Sequence, residues 1–198
     1  MFVQVIEGGV ADRDALRGQL DRWMTELRPG ATGFLGTTAG VTDGGAAIVV
    51  ARFESAAAAQ ANSERPEQGR WWTETEKCFD REVTFADTDE VDSFLAGGSD
   101  DAGFVQVMKG SSADRGRLHA MDASFVEHAP SFRPDVIGGF RAWTGPDTYV
   151  ELVYFTSEAE ARRGETNEPP AALADLMGEL QEQMVNTEFL DLRDPWLY

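Results

Sequence analysis

The sequence is short of three residue types on which many functional sites depend. Its 198 residues include only two lysines, two histidines (His119 and His128) and one cysteine, Cys78. A single cysteine excludes an internal disulfide framework and is typical of a reducing compartment. Two histidines and one cysteine give no spacing typical of a metal centre, so we predict no metal site.

Positive charge is scarce as well. Lysine and arginine together number 17 against 35 aspartates and glutamates, which gives a formal net charge of −18. Such a chain repels nucleic acid and anionic membranes, so we expect neither as a partner. There is no uninterrupted apolar run of about 18 residues, as a membrane span needs, and residues 1–9 lack the basic start of a secretory signal. We therefore predict a cytoplasmic protein, whose acidity fits either a halophilic source or a compositional bias.

What the sequence does contain is an internal repeat. The segment FVQVIEG at residues 2–8 returns as FVQVMKG at 104–110, and EVTFAD at 82–87 returns as NTEFLD at 186–191. An offset of roughly 100 residues indicates a tandem duplication. We predict a first repeat over 1–95, a glycine-rich linker over 96–103 and a second repeat over 104–198. Each repeat alone buries little surface, so we expect a monomer containing an internal pseudo-dimer, with further oligomerisation left open.

Each repeat shows the same order of predicted elements, β-α-β-β-α-β, which is typical of a ferredoxin-like unit. In the first repeat we predict strands at residues 2–7, 32–38, 46–53 and 83–85, and helices over 12–28 and from Ser55 onward with a break near Pro66. In the second repeat the two helices are marked by Leu118, Met121 and Phe125, and by Leu173, Leu176, Met177, Leu180 and Met184. We predict an α+β fold in which the two units, each with one bare sheet face, form a pseudo-dimeric α/β barrel.

This order, with Phe53-Glu54-Ser55 before an alanine-rich helix and then Asn62 and Pro66, resembles the dimeric α/β-barrel superfamily. Within it the chain is similar to the antibiotic-biosynthesis monooxygenase-like group, here duplicated in one chain. The resemblance implies a small hydrophobic partner and oxygenation of a flat apolar or phenolic substrate without any cofactor. In such enzymes the substrate's own carbanion reacts with dioxygen. Because this fold hosts many activities, the alternative is a non-catalytic module that binds or senses a hydrophobic metabolite.

The densest cluster of unusual side chains lies between residues 62 and 72 of the first repeat. The resemblance implies polar contacts from an Asn, a Trp and an Arg, and the matching residue types are Asn62, Trp71 or Trp72, and Arg81. With Arg65 at its mouth, this set would form a pocket wall between the second helix and the sheet. A purely structural interpretation is also open, because Asn62 can end a helix and Trp72 can belong to a core stripe.

Gln4 completes the predicted binding set, and Gln106 is its equivalent in the second repeat. A polar side chain on an apolar strand needs a partner if it is buried, so we expect either a cavity-lining donor or a side chain bonded to solvent or main chain. The second repeat has Leu173 and Leu176 where the first has its tryptophans. We therefore predict that the pocket lies in the first repeat and that the second is a scaffold, although Trp143 and Tyr149 could line a different cavity.

Haem chemistry is disfavoured by the same resemblance. Haem-degrading relatives ligate iron with a histidine from the other helix of the unit, and neither His119 nor His128 lies there. We therefore predict no haem and no other cofactor.

Overall fold

The computed structural model describes residues 1–112, 114–183 and 185–198, and this part of the chain forms two compact units. The first unit comprises residues 1–89 and 195–198, and the second comprises residues 90–194. In chain order, the elements of residues 1–89 are β1 (Phe2–Gly9), α1 (Arg13–Glu26), β2 (Phe34–Val41), β3 (Ala46–Phe53), α2 (Ala56–Ser63), α3 (Pro66–Thr75) and β4 (Thr84–Thr88). Those of the second unit are β5 (Val91–Leu95), β6 (Phe104–Ser111), α4 (Arg115–Phe132), β7 (Val136–Trp143), β8 (Thr148–Phe155), α5 (Glu158–Gly164), α6 (Ala171–Gln183) and β9 (Val185–Leu192). The last strand, β10 (Trp196–Leu197), belongs to the first unit.

Both units contain a five-stranded antiparallel sheet with the same topology. The strand order is β10-β2-β3-β1-β4 in the first unit and β5-β7-β8-β6-β9 in the second. The predicted α+β fold with two ferredoxin-like repeats is therefore confirmed. The fifth strand of each sheet was not predicted, because β10 has only two residues and β5 mixes polar with apolar side chains beside a glycine-rich segment. The repeat boundaries at 95 and 104 remain a prediction about the duplication. The compact units divide at other residues, after 89 and after 194, because β5 pairs within the second sheet and β10 within the first.

Local sequence explains where the helices begin. Asp12 caps α1, because its side chain accepts a hydrogen bond from the Ala15 N–H at 2.9 Å. Ser55 caps α2 in the same way, through the Ala58 N–H at 3.2 Å. Pro66 then occupies the first turn of α3, a position where its missing N–H costs nothing. The predicted break of the second helix near this proline is confirmed.

Each sheet packs one face against helices. In the first unit, α1 buries Leu16, Leu20 and Trp23 in a core that also contains Ala39 and Val49 of the sheet. In the second unit, Leu118 and Met121 of α4 and Leu173 of α6 are almost fully buried. Ala113 and Met184, and the side chain of Leu180, lie outside the described residues. In the part of the chain that the structure describes, no helix is both long and apolar enough to cross a membrane.

Candidate functional site

A small cavity lies in the first unit between the sheet and helices α1 to α3. Its volume is about 60 Å³. It is lined by Gln4, Ile6, Leu20, Trp23, Met24, Phe34, Thr37, Val49, Ala51, Phe53, Asn62, Gln68, Trp71 and Tyr198. Three of the six residues predicted from the sequence, Gln4, Asn62 and Trp71, therefore line the same cavity.

The polar groups around this cavity are largely bonded to the protein itself. The indole N–H of Trp71 donates to the Gln19 carbonyl at 2.8 Å, and the Asn62 amide oxygen accepts from Arg65 at 3.0 Å. The Tyr198 hydroxyl donates to Asp21 at 2.5 Å, and burial together with this bond raises the pKa of Tyr198 above its usual range. With about 60 Å³, this cavity is much smaller than the roughly 300 Å³ at which small-molecule pockets begin.

The other three predicted residues lie outside this lining. Arg65 donates to the Leu27 carbonyl at 3.0 Å and forms an ion pair with Glu67. Trp72 packs its ring against Phe85, with centroids 5.3 Å apart. The side chain of Arg81 is 75% exposed. Trp71 and Trp72 separate because neighbouring residues of a helix point about 100° apart, so only one of them can face the cavity.

The second unit contains a larger cavity, which the sequence analysis did not predict. Its volume is about 270 Å³, which approaches the roughly 300 Å³ at which small-molecule pockets begin. It is lined by Phe94, Gln106, Met108, Met121, Asp122, Phe125, Arg133, Val136, Arg141, Glu151, Val153, Phe155, Leu176, Met177 and Phe189. We call this space the second-unit cavity. Most of its wall is apolar, and the exceptions are concentrated in a few charged side chains.

Three charged side chains of this wall form one cluster, which we call the acid–arginine cluster: Asp122, Arg141 and Glu151. Arg141 on β7 and Glu151 on β8 are direct partners in the sheet register, so their side chains share one face. Asp122 reaches them from α4, which packs over that face. The side chains of Arg141 and Glu151 are 3% and 8% exposed, so both charges are removed from water.

The guanidinium of Arg141 binds both carboxylates. Its Nε donates to Glu151 Oε2 at 2.8 Å, and its Nη1 donates to Asp122 Oδ2 at 2.5 Å. A second bond to each acid comes from Nη2, at 2.6 Å to Glu151 and 3.1 Å to Asp122. Both contacts of Arg141 to Glu151 end on the same oxygen, Oε2. The cluster therefore holds a fixed carboxylate in the wall of the cavity.

Burial sets the protonation of the two acids. It raises the pKa of Glu151 and of Asp122 above their ordinary values, and the bonds to Arg141 oppose this shift without cancelling it. Two carboxylates face one guanidinium, and Asp92 adds negative charge from β5 next to Arg141. Raising the pKa of a carboxylate brings it closer to neutral pH, where a general base works best.

The first repeat has no such cluster at the equivalent places. The register that pairs Arg141 with Glu151 pairs Ala39 with Val49 in the first sheet. Leu20 stands on α1 where Asp122 stands on α4, counting from the capping aspartates of the two helices. The second repeat therefore carries three buried charged groups at positions that are apolar in the first. The expectation that the second repeat is only a scaffold does not account for them.

Sequence reasoning missed these residues because it compared the repeats for aromatic side chains. A usable indication was present, since Glu151 interrupts the apolar strand YVELVYF and Arg141 interrupts FRAW. Two opposite charges in adjacent apolar strands of one hairpin predict a buried ion pair. Asp122, on a helix of mixed composition, gave no comparable indication.

Among residues 1–112, 114–183 and 185–198, no group of three or more His, Cys, Asp and Glu side chains is arranged to hold a metal ion. His119 lies 3.5 Å from Asp92, and His128 is bonded to the Ser124 carbonyl at 3.0 Å. Trp143 donates its indole N–H to the other oxygen of Asp92 at 2.8 Å.

Solved structures with the same fold were found for the whole chain. A candidate monooxygenase from Lactobacillus acidophilus NCFM has a TM-score of 0.72 at 11% identity and covers 100% of this chain and 98% of its own. Another, from Fusobacterium nucleatum subsp. nucleatum ATCC 25586, has a TM-score of 0.75 at 8% identity and covers 99% and 93%. An anthrone oxidase-like protein has a TM-score of 0.61 at 11% identity and covers 99% and 93%.

Comparison by sequence identifies no family for the chain. No protein-family model matches the chain, and no curated protein matches it significantly. At 8–11% identity, the structural likeness shows the fold alone. The predicted resemblance is confirmed as a likeness in fold: along its whole length the chain has the fold of these candidate monooxygenases, with a ferredoxin-type sheet in each unit.

Proposed function

We propose that the second-unit cavity binds a small, flat, apolar molecule with an acidic hydroxyl group, and that the chain oxygenates this molecule without a cofactor. The observation that carries the proposal is the acid–arginine cluster in the wall of an otherwise apolar cavity. An apolar wall favours an aromatic body, and a few convergent polar groups orient it. The likeness in fold to candidate monooxygenases and to an anthrone oxidase-like protein supports the same reaction class.

The chemistry begins with a proton transfer. Glu151 Oε1 accepts the hydroxyl proton of the bound phenol, and the electron pair of the O–H bond stays on the substrate as phenolate and ring carbanion. Dioxygen is the oxidant, and the carbanion carbon forms a bond to one of its atoms. The O–O bond then breaks, so one oxygen atom becomes a substrate carbonyl and the other leaves as water. This water takes up one hydrogen from the substrate carbon and the proton that Glu151 removed, which regenerates the carboxylate.

Burial of the cluster explains why this transfer is favourable in the cavity. Ionised carboxylates in water are weak bases, whereas burial raises the pKa of Glu151 toward that of a phenol. The Arg141 guanidinium keeps the base oriented and leaves positive charge beside the phenolate that forms. Exclusion of bulk water protects the carbanion from reprotonation before it meets dioxygen.

Oxygen uptake tests the proposal directly. We expect the protein to consume one dioxygen per molecule of anthrone, which reacts as its phenolic tautomer anthrol, with one ¹⁸O atom from labelled dioxygen in the quinone and the other in water. Anthracene, which has the same shape but no ionisable group, serves as the control and consumes none. Binding of anthrone without oxygen uptake above the spontaneous rate would favour the alternative, a non-catalytic binding module. Failure of anthrone and of simpler phenols to bind would reject both.

The six residues predicted from the sequence define the alternative place for the ligand, in the first unit, and we also propose a cytoplasmic location for the protein. The two cavities can be separated with matched substitutions. Met177 lines the second-unit cavity and Met24 lines the first, and both are half-buried. We expect Met177→Trp to fill its cavity and weaken binding of 1-naphthol at least tenfold, and Met24→Trp to leave the affinity within twofold of the wild type.

Isothermal titration gives both affinities, and the thermal midpoint of each variant shows that it is folded. The opposite pattern, with Met24→Trp weakening binding and Met177→Trp having no effect, would place the ligand beside Asn62 and Trp71. The predicted binding set would then hold the site, and the acid–arginine cluster would need another explanation.

A further inference from the structure

Gln106 on β6 lines the second-unit cavity next to the acid–arginine cluster and has a fixed orientation. Its amide nitrogen donates to Asp191 Oδ1 on β9 at 3.1 Å. Asp191 also accepts hydrogen bonds from Arg162 and, at 3.4 Å, from Arg193, so two guanidinium groups orient this carboxylate. An ionised carboxylate only accepts hydrogen bonds, so the amide nitrogen of Gln106, and not its oxygen, must face Asp191.

The consequence is that the amide oxygen is the group that Gln106 can offer to the cavity. The side chain lines this cavity, and its bond to Asp191 uses only the amide nitrogen. A carbonyl oxygen that is partly removed from water requires a donor. A ligand or a water molecule in the cavity can supply that donor.

The sheet register places this oxygen relative to the base. Gln106 is opposite Val153, and Glu151 lies two residues from Val153 on the same face of β8. Gln106 and Glu151 are therefore diagonal neighbours on the sheet, with a separation of roughly 7–8 Å between their positions. Both side chains line the second-unit cavity, so one ligand with two hydroxyls on the same ring can contact both.

We infer that Gln106 is a specificity-determining residue that reads a second hydroxyl group on the ligand, one ring width from the hydroxyl that Glu151 deprotonates. The ligand class is then a flat aromatic with two hydroxyls in a 1,3 relationship. This inference rests on the proposed function, since it assumes that the first hydroxyl binds at Glu151. It adds the substrate class and a residue that selects it.

The first unit has the same pair without the cluster. Gln4 donates to Asp87 at 3.0 Å, and these two residues occupy the equivalent register position. The Gln–Asp bond of the first unit is exposed and that of the second is partly buried. The pair in the first unit therefore gives a lower reference value for the structural contribution of such a bond.

Binding of three related ligands tests the inference. Naphthalene-1,3-diol has both hydroxyls, 1-naphthol has one, and 3-methoxynaphthalen-1-ol has an oxygen at the second place that cannot donate. We expect the wild type to bind the diol about tenfold more tightly than either of the others, as one additional hydrogen bond allows. Gln106→Met, which keeps the length of the side chain and removes the acceptor, should bind all three with affinities within threefold of one another.

Isothermal titration measures the affinities. The fall in thermal midpoint caused by Gln4→Met, which breaks the Gln–Asp bond of the first unit, is compared with the fall caused by Gln106→Met. Equal affinities in the wild type, or a preference for the diol that persists in Gln106→Met, would overturn the inference while leaving the proposed function in place. Absence of binding by 1-naphthol would overturn both.

Discussion

Replacing Arg141 with methionine is expected to lower the free energy of unfolding by about 3–5 kcal/mol at pH 8. The reason is that Glu151 and Asp122 would then be two buried carboxylates with no counter-charge, which is the costly case for a buried ion pair. Methionine fills a similar volume, so cavity formation contributes little. Urea denaturation monitored by circular dichroism measures the difference between variant and wild type.

The same variant should recover stability as the pH falls. Burial raises the folded-state pKa of Glu151 and Asp122 above the values in the unfolded chain, so the folded state binds protons more tightly than the unfolded state does. The folded state therefore gains stability as pH falls through the raised pKa, and loss of Arg141 raises that pKa further. We expect the deficit of Arg141→Met to be smaller at pH 5 than at pH 8. A deficit independent of pH would contradict the assignment to uncompensated carboxylates.

The first unit suggests the control for this experiment. Its equivalent positions are Leu20, Ala39 and Val49, which form an apolar core without charge. A triple variant, Asp122→Leu with Arg141→Met and Glu151→Val, copies that chemistry. We expect it to be as stable as the wild type or more stable, because well-packed apolar residues often replace buried ion pairs without loss. That result would show that the cluster is retained for a role other than stability.

The sequence was sufficient for most of the fold. The repeat and the period of the apolar residues predicted the long strands and helices, including helix starts near Asp12 and Ser55, because the period is a local feature. The short strands β5 and β10 were missed, because two to five residues of mixed polarity carry no period. Their place in a sheet depends on partners that are distant in sequence, which local patterns do not report.

The candidate site was harder to predict for a related reason. Asn62 and Trp71 do line a cavity, but a cluster of unusual residues along the chain says nothing about the direction in which each side chain points. Arg81 is thus exposed, and Trp72 packs on Phe85. The acid–arginine cluster depends on a hairpin register and on a helix packed above it, and a single sequence specifies the first far better than the second.

The conservative change Glu151→Gln is expected to lower the rate of anthrone oxidation by about 10²–10⁴-fold, which is the usual contribution of a general base. The amide keeps the shape of the side chain and can still accept from Arg141, but it cannot take up a proton. Binding of 1-naphthol should change much less than the rate, because most of the binding comes from the apolar wall. Glu188→Gln, an exposed change on β9 that leaves the cavity lining intact, is the matched control and should retain the wild-type rate.

The pH profile distinguishes loss of a base from loss of structure. In the wild type the rate should fall as the pH drops through the raised pKa of Glu151, because only the ionised form accepts a proton. This fall in rate at low pH, the acidic limb of the profile, depends on the charged groups around Glu151. They are Arg141 on β7, Asp122 and the nearby His119 on α4, and Asp92 on β5. Glu151→Gln removes the proton acceptor, so the small residual rate should lose its acidic limb while the thermal midpoint stays near that of the wild type. A residual rate that keeps the wild-type limb would mean that another group takes the proton, and Asp122→Asn would then be expected to abolish that limb instead.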